Sequence, residues 1–273
     1  MYTSSARQYF HLEIQQPDES IDLVKAALYI SQEEYPDLCV EDYIDKLEDM
    51  ASEVERWLPS SRYPLRIIQA INEYLYEELG FTGNTENYHD ERNSFLNDVL
   101  ERRKGIPITL SLVYLEIARR INFPMVGVGM PGHFLIRPNI NDMEIYVDAF
   151  NGGEILFPQD CQQRLEQVFE RSVTLKPEFL ATVTNKYFLL RMLNNLKQIY
   201  LKHQNLEKSL AVVDRMLLLF PDLPEELRDR GLLYYQIGQF TKAADDLETY
   251  LLKNPFAQDA FAIRKLLSQL GRE

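Results

Sequence analysis

Apolar residues recur every three or four positions along most of the first 122 residues, which is the spacing of one face of an α-helix. The first such segment, SIDLVKAALYISQEEYP, has Ser20 as its predicted N-cap and ends before Pro36. Two further segments, VEDYIDKLEDMASEVERWLP and LRIIQAINEYLYEELG, follow the same spacing, and Gly80 is the predicted C-cap of the second. The pattern therefore predicts three amphipathic helices.

The most apolar helix is predicted after a polar loop and a short helix, SFLNDVLERR. In KGIPITLSLVYLEIARR, Pro107 suits the first helical position, because an N–H at that position has no partner within the helix. The residues after it are apolar on most sides, so this segment is expected to be central and buried.

After this helix the period changes to two, or to short apolar runs, in MVGVGM, HFLIR, EIYVDAF and EILF. Glycine and proline separate the runs, which predicts a small antiparallel sheet of hairpin-connected strands. The motif NGG, residues 151–153, is interpreted as a type I′ hairpin turn, because it lacks the longer glycine spacing and the lysine of a phosphate-binding loop. The first half of the chain is thus predicted to be α+β.

From about residue 178 the pattern is helical again and repeats itself. Tyr200 and Tyr234 are 34 residues apart, as are Pro221 and Pro255, and this is the tetratricopeptide period. The second copy, PEELRDRGLLYYQIGQFTKAADDLETYLLKNP, resembles that repeat at the following positions: Gly231, Tyr234, Gly238, Ala243 and Pro255.

The first copy of the repeat, residues 190–221, is degenerate, with Lys197 and Ser209 where small residues are usual. Residues 256–270 are predicted to form a closing helix. Because stacked neighbours supply each repeat with its core, the array is expected to pack against the first half of the chain. The predicted domains are residues 1–177, which are α+β, and residues 178–273, which are all-α.

The composition is that of a folded protein, and the net charge limits the classes of partner that the protein is expected to bind. The chain has 273 residues, of which 45% are hydrophobic, enough for a substantial core in one or two domains. A net charge of −13 argues against general nucleic-acid binding, which depends on basic side chains, and favours a basic or amphipathic partner.

The N-terminal segment, MYTSSARQYFHLEIQQPDES, lacks the basic start, apolar stretch and cleavage site of a secretory signal. No window holds the roughly 18 apolar residues that span a bilayer. We therefore predict a cytoplasmic protein that does not bind membranes. In that compartment Cys39 and Cys161 are expected to be free thiols.

His133 and Asp148 are candidates for two members of a nucleophilic triad. Such a site needs a base, a carboxylate that orients the base, and a nucleophile within hydrogen-bond distance. His133 follows MPG at the predicted start of one strand, and Asp148 lies 15 residues later near a strand end. An antiparallel return places the two side chains beside each other, with the carboxylate accepting from one imidazole nitrogen.

Most of the chain resembles the SirB1-type branch of the transglutaminase-like superfamily, whose members often carry C-terminal tetratricopeptide repeats. The resemblance rests on YHDERNSFLNDVLERRKGIPITLSLVYLEIARRINFPMVGVGMPGHFLIRP, on YVDAFNGG, and on AALYISQEEYP and EELGFTGNTENYHD. It implies a mostly helical, cysteine-protease-like domain with a small antiparallel sheet, in which His133 is the base and Asp148 the orienting acid. In the active enzymes of the superfamily the order is Cys, His, Asp, and the resemblance puts the cysteine near Pro107. No cysteine stands there.

Few other side chains could serve as the nucleophile in place of the missing thiol. Thr109 and Ser111 lie in the first turn and a half of the helix that starts at Pro107, but a hydroxyl inside a helix usually bonds to a carbonyl four residues earlier or packs. Cys39 is interpreted as a structural thiol, and so is Cys161, which we expect to be half-buried on a surface helix. The His–Asp pair is accordingly interpreted as an inherited site that now serves binding or structure.

The sequence predicts no metal site and no cofactor. His89 and Asp90, with Glu33 and Glu34, are candidate ligands beside His133, but no pair of them has the close helical or loop spacing of a metal site.

Two functions are compatible with these features. The favoured one is a non-catalytic scaffold or protein-binding module, a pseudoenzyme whose repeats bind a protein or peptide partner. The alternative is an amide hydrolase or acyl transferase in which His133 is the general base, Asp148 its partner, and Ser111, Thr109 or water the attacking group. The sequence assigns neither a substrate nor an oligomeric state.

Overall fold

The computed structural model describes residues 5–141 and 143–272. The chain divides into two compact units, Met1–Met192 and Leu193–Glu273, each of which is described by itself. The boundary lies within a helix, α8 (Asn185–Lys202). The division at residues 177 and 178 that the sequence favours stays a prediction.

The first unit is mostly helical. Its α-helices are α1 (Ser5–Ile14), α2 (Leu23–Gln32), α3 (Val40–Trp57), α4 (Pro64–Asn72), α5 (Leu96–Arg102), α6 (Pro107–Arg120) and α7 (Pro158–Phe169). A π-helical stretch, Glu73–Glu78, continues α4, and Gly80 beyond it has a φ of +72°, the left-handed conformation expected of a C-cap.

The helix α6 is central, as its apolar sequence predicts. It packs against α2, α3, α4 and α5 and against the sheet, and it is buried along most of its length. Tyr114 in its middle is fully buried, and its hydroxyl donates to the carbonyl of Ile68 at 3.2 Å and lies 3.0 Å from Oδ1 of Asn72. This bonding satisfies the one polar atom that the helix carries into the core at that point.

The predicted N-cap of α2 is wrong. Ser20 is the last residue of a preceding 3₁₀ turn, Asp18–Ser20, and Asp22 caps the helix by accepting a hydrogen bond from the backbone N–H of Lys25 at 3.0 Å. Ile21 lies between them and is buried. Starting the helix after Asp22 lets the chain bury Ile21 and use a carboxylate as the cap acceptor.

The sheet of the first unit has four antiparallel strands in sequential order, as the alternating pattern predicts. They are β3 (Met125–Val128), β4 (Leu135–Pro138), β5 (Tyr146–Asp148) and β6 (Glu154–Leu156). Two shorter strands, β1 (Thr82–Gly83) and β2 (Lys104–Gly105), form a separate parallel pair.

The NGG motif is not the two-residue type I′ turn that we expected. A 3₁₀ turn, Ala149–Asn151, directly follows β5. Gly152 and Gly153 come next, with φ angles of 68° and 73°. Hydrogen bonds to the Asp148 side chain hold this longer turn, so the carboxylate changes the geometry of the hairpin.

The second unit consists of helices of the repeat type. After α8 come α9 (Leu206–Leu219), α10 (Pro224–Gln236), α11 (Phe240–Lys253) and the closing helix α12 (Ala260–Gln269). A Cβ on Gly231 would lie 2.7 Å from Cγ of Leu247, so only glycine lets α10 and α11 approach this closely.

Lys197, which is unusual for a repeat, is buried in the second unit and paired. Its Nζ lies 2.7 Å and 2.8 Å from the two carboxylate oxygens of Glu226 and 2.9 Å from Oδ2 of Asp229. An ion pair therefore takes the place of the small residue expected there.

No helix in the described ranges is both long enough and apolar enough to cross a lipid bilayer.

Candidate functional site

His133 is positioned by a tight turn between β3 and β4. Its backbone N–H donates to the carbonyl of Met130 at 3.1 Å, and Gly132 within the turn has a φ of +72°. Arg191 on α8 donates through Nη2 to the same Met130 carbonyl, at 2.7 Å, and to the carbonyl of His133. The turn that carries the imidazole is thus fixed by its own backbone hydrogen bond and by the Arg191 side chain. His133 lies two residues before β4 begins.

Asp148 is the last residue of β5, and its carboxylate is fully buried. Oδ2 lies 2.8 Å from His133 Nε2, accepts from Asn151 Nδ2 at 2.8 Å and lies 3.5 Å from Arg164 Nη1. Oδ1 accepts from the backbone N–H groups of Phe150 and Asn151 at 3.1 Å and 3.3 Å. These bonds fix the carboxylate in one orientation.

Burial on its own would raise the pKa of Asp148. The hydrogen bond and charge of His133 and the hydrogen bond of Asn151 outweigh burial, and the pKa of Asp148 lies below its ordinary value. Asp148 is therefore a carboxylate at neutral pH and acts as an acceptor. The hydrogen-bond network accordingly assigns the ring proton of neutral His133 to Nε2 and the lone pair to Nδ1.

The other ring nitrogen of His133 faces outward. Nδ1 has no hydrogen-bond partner among residues 5–141 and 143–272, and it is not one of their fully buried unpaired side-chain atoms. His133 is 6% exposed, so this small opening includes Nδ1. The ring of Phe150 lies edge-on to the imidazole at 6.2 Å, and Tyr88 contacts Phe150 at 6.0 Å. Nδ1 is thus a slightly exposed acceptor nitrogen in a ring that packs against Phe150.

Neither candidate hydroxyl is hydrogen-bonded to His133. Thr109 Oγ1 donates to the carbonyl of Asn93 at 2.7 Å and accepts from the backbone N–H of Ile106 at 3.1 Å, and the residue is fully buried. Ser111 is also fully buried, and its Oγ has no partner in the described part of the chain. As nucleophiles, both hydroxyls stay predictions.

The two cysteines are free thiols in different settings. Cys39 is exposed just before α3, and its thiol donates to a carboxylate oxygen of Glu41 at 3.7 Å. Cys161 on α7 is fully buried, not half-buried as the sequence suggested, and packs in an apolar cluster with Leu165 and Tyr146. Burial raises the pKa of the Cys161 thiol to about 12, so it is protonated at neutral pH.

The side chains weighed as metal ligands are engaged in other contacts. Asp90 forms ion pairs with Arg92 and Arg102 at 2.9 Å and 3.2 Å, and Glu33 pairs with Arg7 at 2.8 Å. Across the described ranges, His, Cys, Asp and Glu side chains form no group of three that is arranged to hold a metal ion.

The sequence did not identify Arg191 and Asn151 as parts of this site. Asn151 carried a usable signal, because an Asp followed three residues later by Asn in a glycine-rich turn favours side-chain hydrogen bonding. Arg191 carried none, since it is 58 residues from His133 in the sequence and its contacts are with backbone carbonyls.

Comparison with known proteins identifies the family of the chain. The profile of a transglutaminase-like superfamily matches residues 41–194, and that of a tetratricopeptide repeat matches residues 196–268. The matches confirm the predicted fold class, a mostly helical α+β domain with a small antiparallel sheet followed by a helical repeat array. No solved structure matches the chain at a significant level.

The curated relatives cover most of the chain. A UPF0162 protein of Xylella fastidiosa is 36% identical and covers 94% of this chain and 92% of its own length. A UPF0162 protein of Vibrio cholerae is 32% identical, with 93% and 94% covered. F-box only protein 21 of Homo sapiens is 30% identical over 82% of this chain, but the match spans 40% of that longer protein.

Proposed function

Because this chain belongs to the SirB1-type branch of the transglutaminase-like superfamily and ends in tetratricopeptide repeats, we propose that it is a non-catalytic protein-binding module. The observation that carries the proposal is the open side of His133. Nδ1 has no thiol or hydroxyl partner in the described residues, although Asp148 orients the ring as a triad requires.

The chemistry of the neighbouring groups supports this. An attacking group needs contact with a base or a lowered pKa. Thr109 Oγ1 is used in hydrogen bonds with the backbone of Asn93 and Ile106, and the Cys161 thiol has its pKa raised to about 12. No cysteine occurs within residues 103–112, around the start of α6. These groups suit structural roles better than attack on a carbonyl.

Partner binding is assigned to the repeats, since tetratricopeptide repeats generally mediate protein–protein interaction. The second unit presents three strongly exposed apolar side chains at the end of α11, in the connection after it and at the start of α12: Leu252, Phe256 and Phe261, at 82%, 98% and 81% exposure. Together with the net charge of −13, they favour a basic, amphipathic segment of a cytoplasmic protein over a nucleic acid or a membrane.

A second candidate function is favoured by one observation, the basic Nδ1 that reaches the surface. In an amide hydrolase or acyl transferase, His133 would take a proton from water or a hydroxyl at this nitrogen, and Asp148 would stabilise the imidazolium. This function requires turnover that depends on both side chains.

One experiment separates the two functions. The purified chain is assayed on a broad panel of amides, peptides and acyl donors, alongside His133→Ala and Asp148→Asn. The same three proteins, with a Phe256→Ser/Phe261→Ser double variant, are used to capture partners from a cytoplasmic extract. We expect no turnover, and capture of a partner that the double variant alone loses. Turnover that both site variants abolish while remaining folded would overturn the proposal.

A further inference from the structure

A recess in the first unit is lined by residues other than His133 and Asp148. It is a cleft of about 660 Å³ between the start of α2, one side of α6, the strand β3 and the start of α8. Half-buried Leu115 and Val183 contribute apolar surface, Leu112 and Phe188 line the cleft as buried side chains, and Met125, Val126 and Gly127 contribute the strand. A cleft of this size has room for a short peptide.

The strand β3 is an edge of the sheet, and part of this edge is unpaired. In the strand order β3 is first, with β4 on one side. On its other side Val183 donates to the carbonyl of Gly127 at 3.0 Å, next to an isolated bridge between Val128 and Thr182. The bridge covers the end of β3 that leads to His133. On this side, away from β4, the Met125 end has no neighbouring strand among the described residues.

The register shows which backbone groups face the cleft. The carbonyl of Gly127 points away from β4. Backbone N–H and C=O groups point to the same side at every second residue of a strand, so those of Met125 also point away from β4. Pro138 lies opposite Met125 on β4 and has no N–H to donate. This agrees with Met125 and Pro138 being a non-hydrogen-bonded pair of the two strands. Met125 thus presents one donor and one acceptor to the cleft.

The charges around the cleft are mainly negative. Its charged lining residues are Glu19, Asp22, Glu116 and Arg119, three carboxylates and one guanidinium. Arg119 pairs with Glu116 at 2.7 Å, whereas Glu19 and Asp22 have no ion pair within the described ranges. The rim therefore attracts a positively charged side chain.

We infer that this cleft binds an extended peptide segment that carries alternating apolar and basic side chains and adds as a strand to the Met125 end of β3. A residue opposite Met125 exchanges two backbone hydrogen bonds with it. One face of the peptide lies on the apolar surface that Leu115 and Val183 expose, and a lysine or arginine at the rim meets Glu19 and Asp22.

This site is separate from the His–Asp pair. In the β3–β4 register Val128 pairs with Leu135, two residues after His133, whereas Met125 pairs with Pro138 at the other end of the hairpin. The inference shares with the proposed function the premise that the chain binds proteins, but it does not depend on the repeats.

The test uses the full chain and a labelled octapeptide of alternating valine and lysine, followed by fluorescence anisotropy. Met125→Pro removes the N–H that points away from β4 and leaves every hydrogen bond to β4 in place. Proline is tolerated at the first residue of an edge strand. Met125→Leu is the matched control, since it keeps the N–H and the side-chain volume. We expect Met125→Pro to weaken binding about three- to tenfold, the loss of one hydrogen bond, and Met125→Leu to leave it unchanged.

Two peptide controls test for strand addition. Two octapeptides are N-methylated on alternate amides, one on the odd-numbered residues and the other on the even-numbered residues, and both retain their side chains. We expect one of the two peptides to lose binding, because its methyl groups replace the N–H that bonds to Met125. The same octapeptide with glutamate in place of lysine is expected not to bind. Absence of saturable binding to the lysine peptide, or equal binding by Met125→Pro and Met125→Leu, would overturn the inference.

A repeat variant distinguishes this inference from the proposed function. Phe256→Ser/Phe261→Ser is expected to leave the binding of the octapeptide unchanged. If it abolishes this binding while Met125→Pro does not, the peptide binds to the repeats; the cleft proposal is then wrong, and the proposed function still stands.

Discussion

His133 Nε2 lies 2.8 Å from Oδ2 of Asp148, and the same carboxylate holds the turn that follows it. Asp148 therefore has two tasks, to orient the imidazole and to shape the β5–β6 connection. The second task is sufficient to stabilise the fold without any catalysis. A chain in which no thiol is hydrogen-bonded to His133 among the described residues can retain Asp148 for this reason alone.

Acid unfolding tests the structural task of Asp148. A carboxylate whose folded pKa is lowered stabilises the fold above its unfolded pKa of about 3.9, and loses this contribution as the pH falls through its folded value. We expect the free energy of unfolding to fall below about pH 4, and Asp148→Asn to reduce this dependence while costing about 1–3 kcal/mol at pH 7. Chemical denaturation between pH 3 and 7 measures both.

The control for this experiment is Asp222→Asn, since Asp222 is exposed in the second unit. It is expected to keep the acid dependence of the unchanged protein. An Asp148→Asn variant with the same acid dependence as the unchanged protein would show that other carboxylates cause it.

The hydroxyls of Thr109 and Ser111 on α6 are predicted to respond in opposite ways. Thr109→Val leaves the carbonyl of Asn93 and the N–H of Ile106 without the partner they have now, which is expected to cost about 1–3 kcal/mol. Ser111→Ala removes a buried oxygen without a partner in the described structure and is expected to be neutral, or stabilising by up to about 1 kcal/mol. Urea denaturation gives both values.

The Ser111 variant also bears on function. If Ser111→Ala were to abolish a turnover measured in the amide panel while remaining as stable as the unchanged protein, Ser111 would be the nucleophile. A loss of stability of more than about 1 kcal/mol would instead show that its hydroxyl has a structural partner.

The thiols are predicted to differ in reactivity. Cys39 is exposed, whereas Cys161 is fully buried with a pKa raised to about 12. In native protein we expect one thiol to react with a disulfide reagent and the second to react only after denaturation. The Cys39→Ser variant should then show no reaction in the native state. A rapid reaction in that variant would mean that α7 opens readily.

The sequence predicted the elements whose pattern is local. The apolar helix α6, the four strands and the pairing of His133 with Asp148 follow from periodicity and from the antiparallel return of the chain. The helix α1 was not predicted, although Ala6, Phe10 and Ile14 are buried at a spacing of four. That spacing is helical, so the signal was present.

The features that were missed or wrong depend on competition or on distant contacts. Ser20 and Asp22 are both good caps, and the burial of Ile21 between them decided which one is used. Arg191 joins the site through backbone carbonyls, which any sequence presents. The full burial of Cys161 depends on the packing of α7 against the sheet, which its own pattern does not specify.

The buried ion pair of the second unit is expected to be costly to break. Lys197→Ala leaves the carboxylate of Glu226 buried without its cation, and we expect a loss of about 3–5 kcal/mol at pH 7. Burial already raises the pKa of Glu226 above its ordinary value in the presence of Lys197. In the variant protonation becomes still easier, so the loss should shrink as the pH falls towards 4.

The double variant Lys197→Met/Glu226→Gln is the control for this pair, because it removes both charges and keeps the volumes. It is expected to be more stable than Lys197→Ala at pH 7. Equal stability of the two variants, without any pH dependence, would mean that water reaches Glu226 and that the pair contributes little.

The close contact of α10 with α11 predicts an unusual response at Gly231. In an ordinary helix, replacing glycine by alanine stabilises by about 0.5–1 kcal/mol. Here the new Cβ would lie 2.7 Å from Cγ of Leu247 and 3.2 Å from the carbonyl of Ala243, so the helices must move apart. We expect Gly231→Ala to destabilise by about 1–2 kcal/mol in thermal or urea unfolding.

A mutant cycle isolates the cause of this effect. Leu247→Ala by itself leaves a cavity and is expected to cost about 2–5 kcal/mol. In that background Gly231→Ala no longer meets the leucine, and its cost should disappear or become a gain. If Gly231→Ala is equally destabilising in both backgrounds, the backbone at Ala243 is what excludes a side chain, and the glycine is required by the approach of the helices themselves.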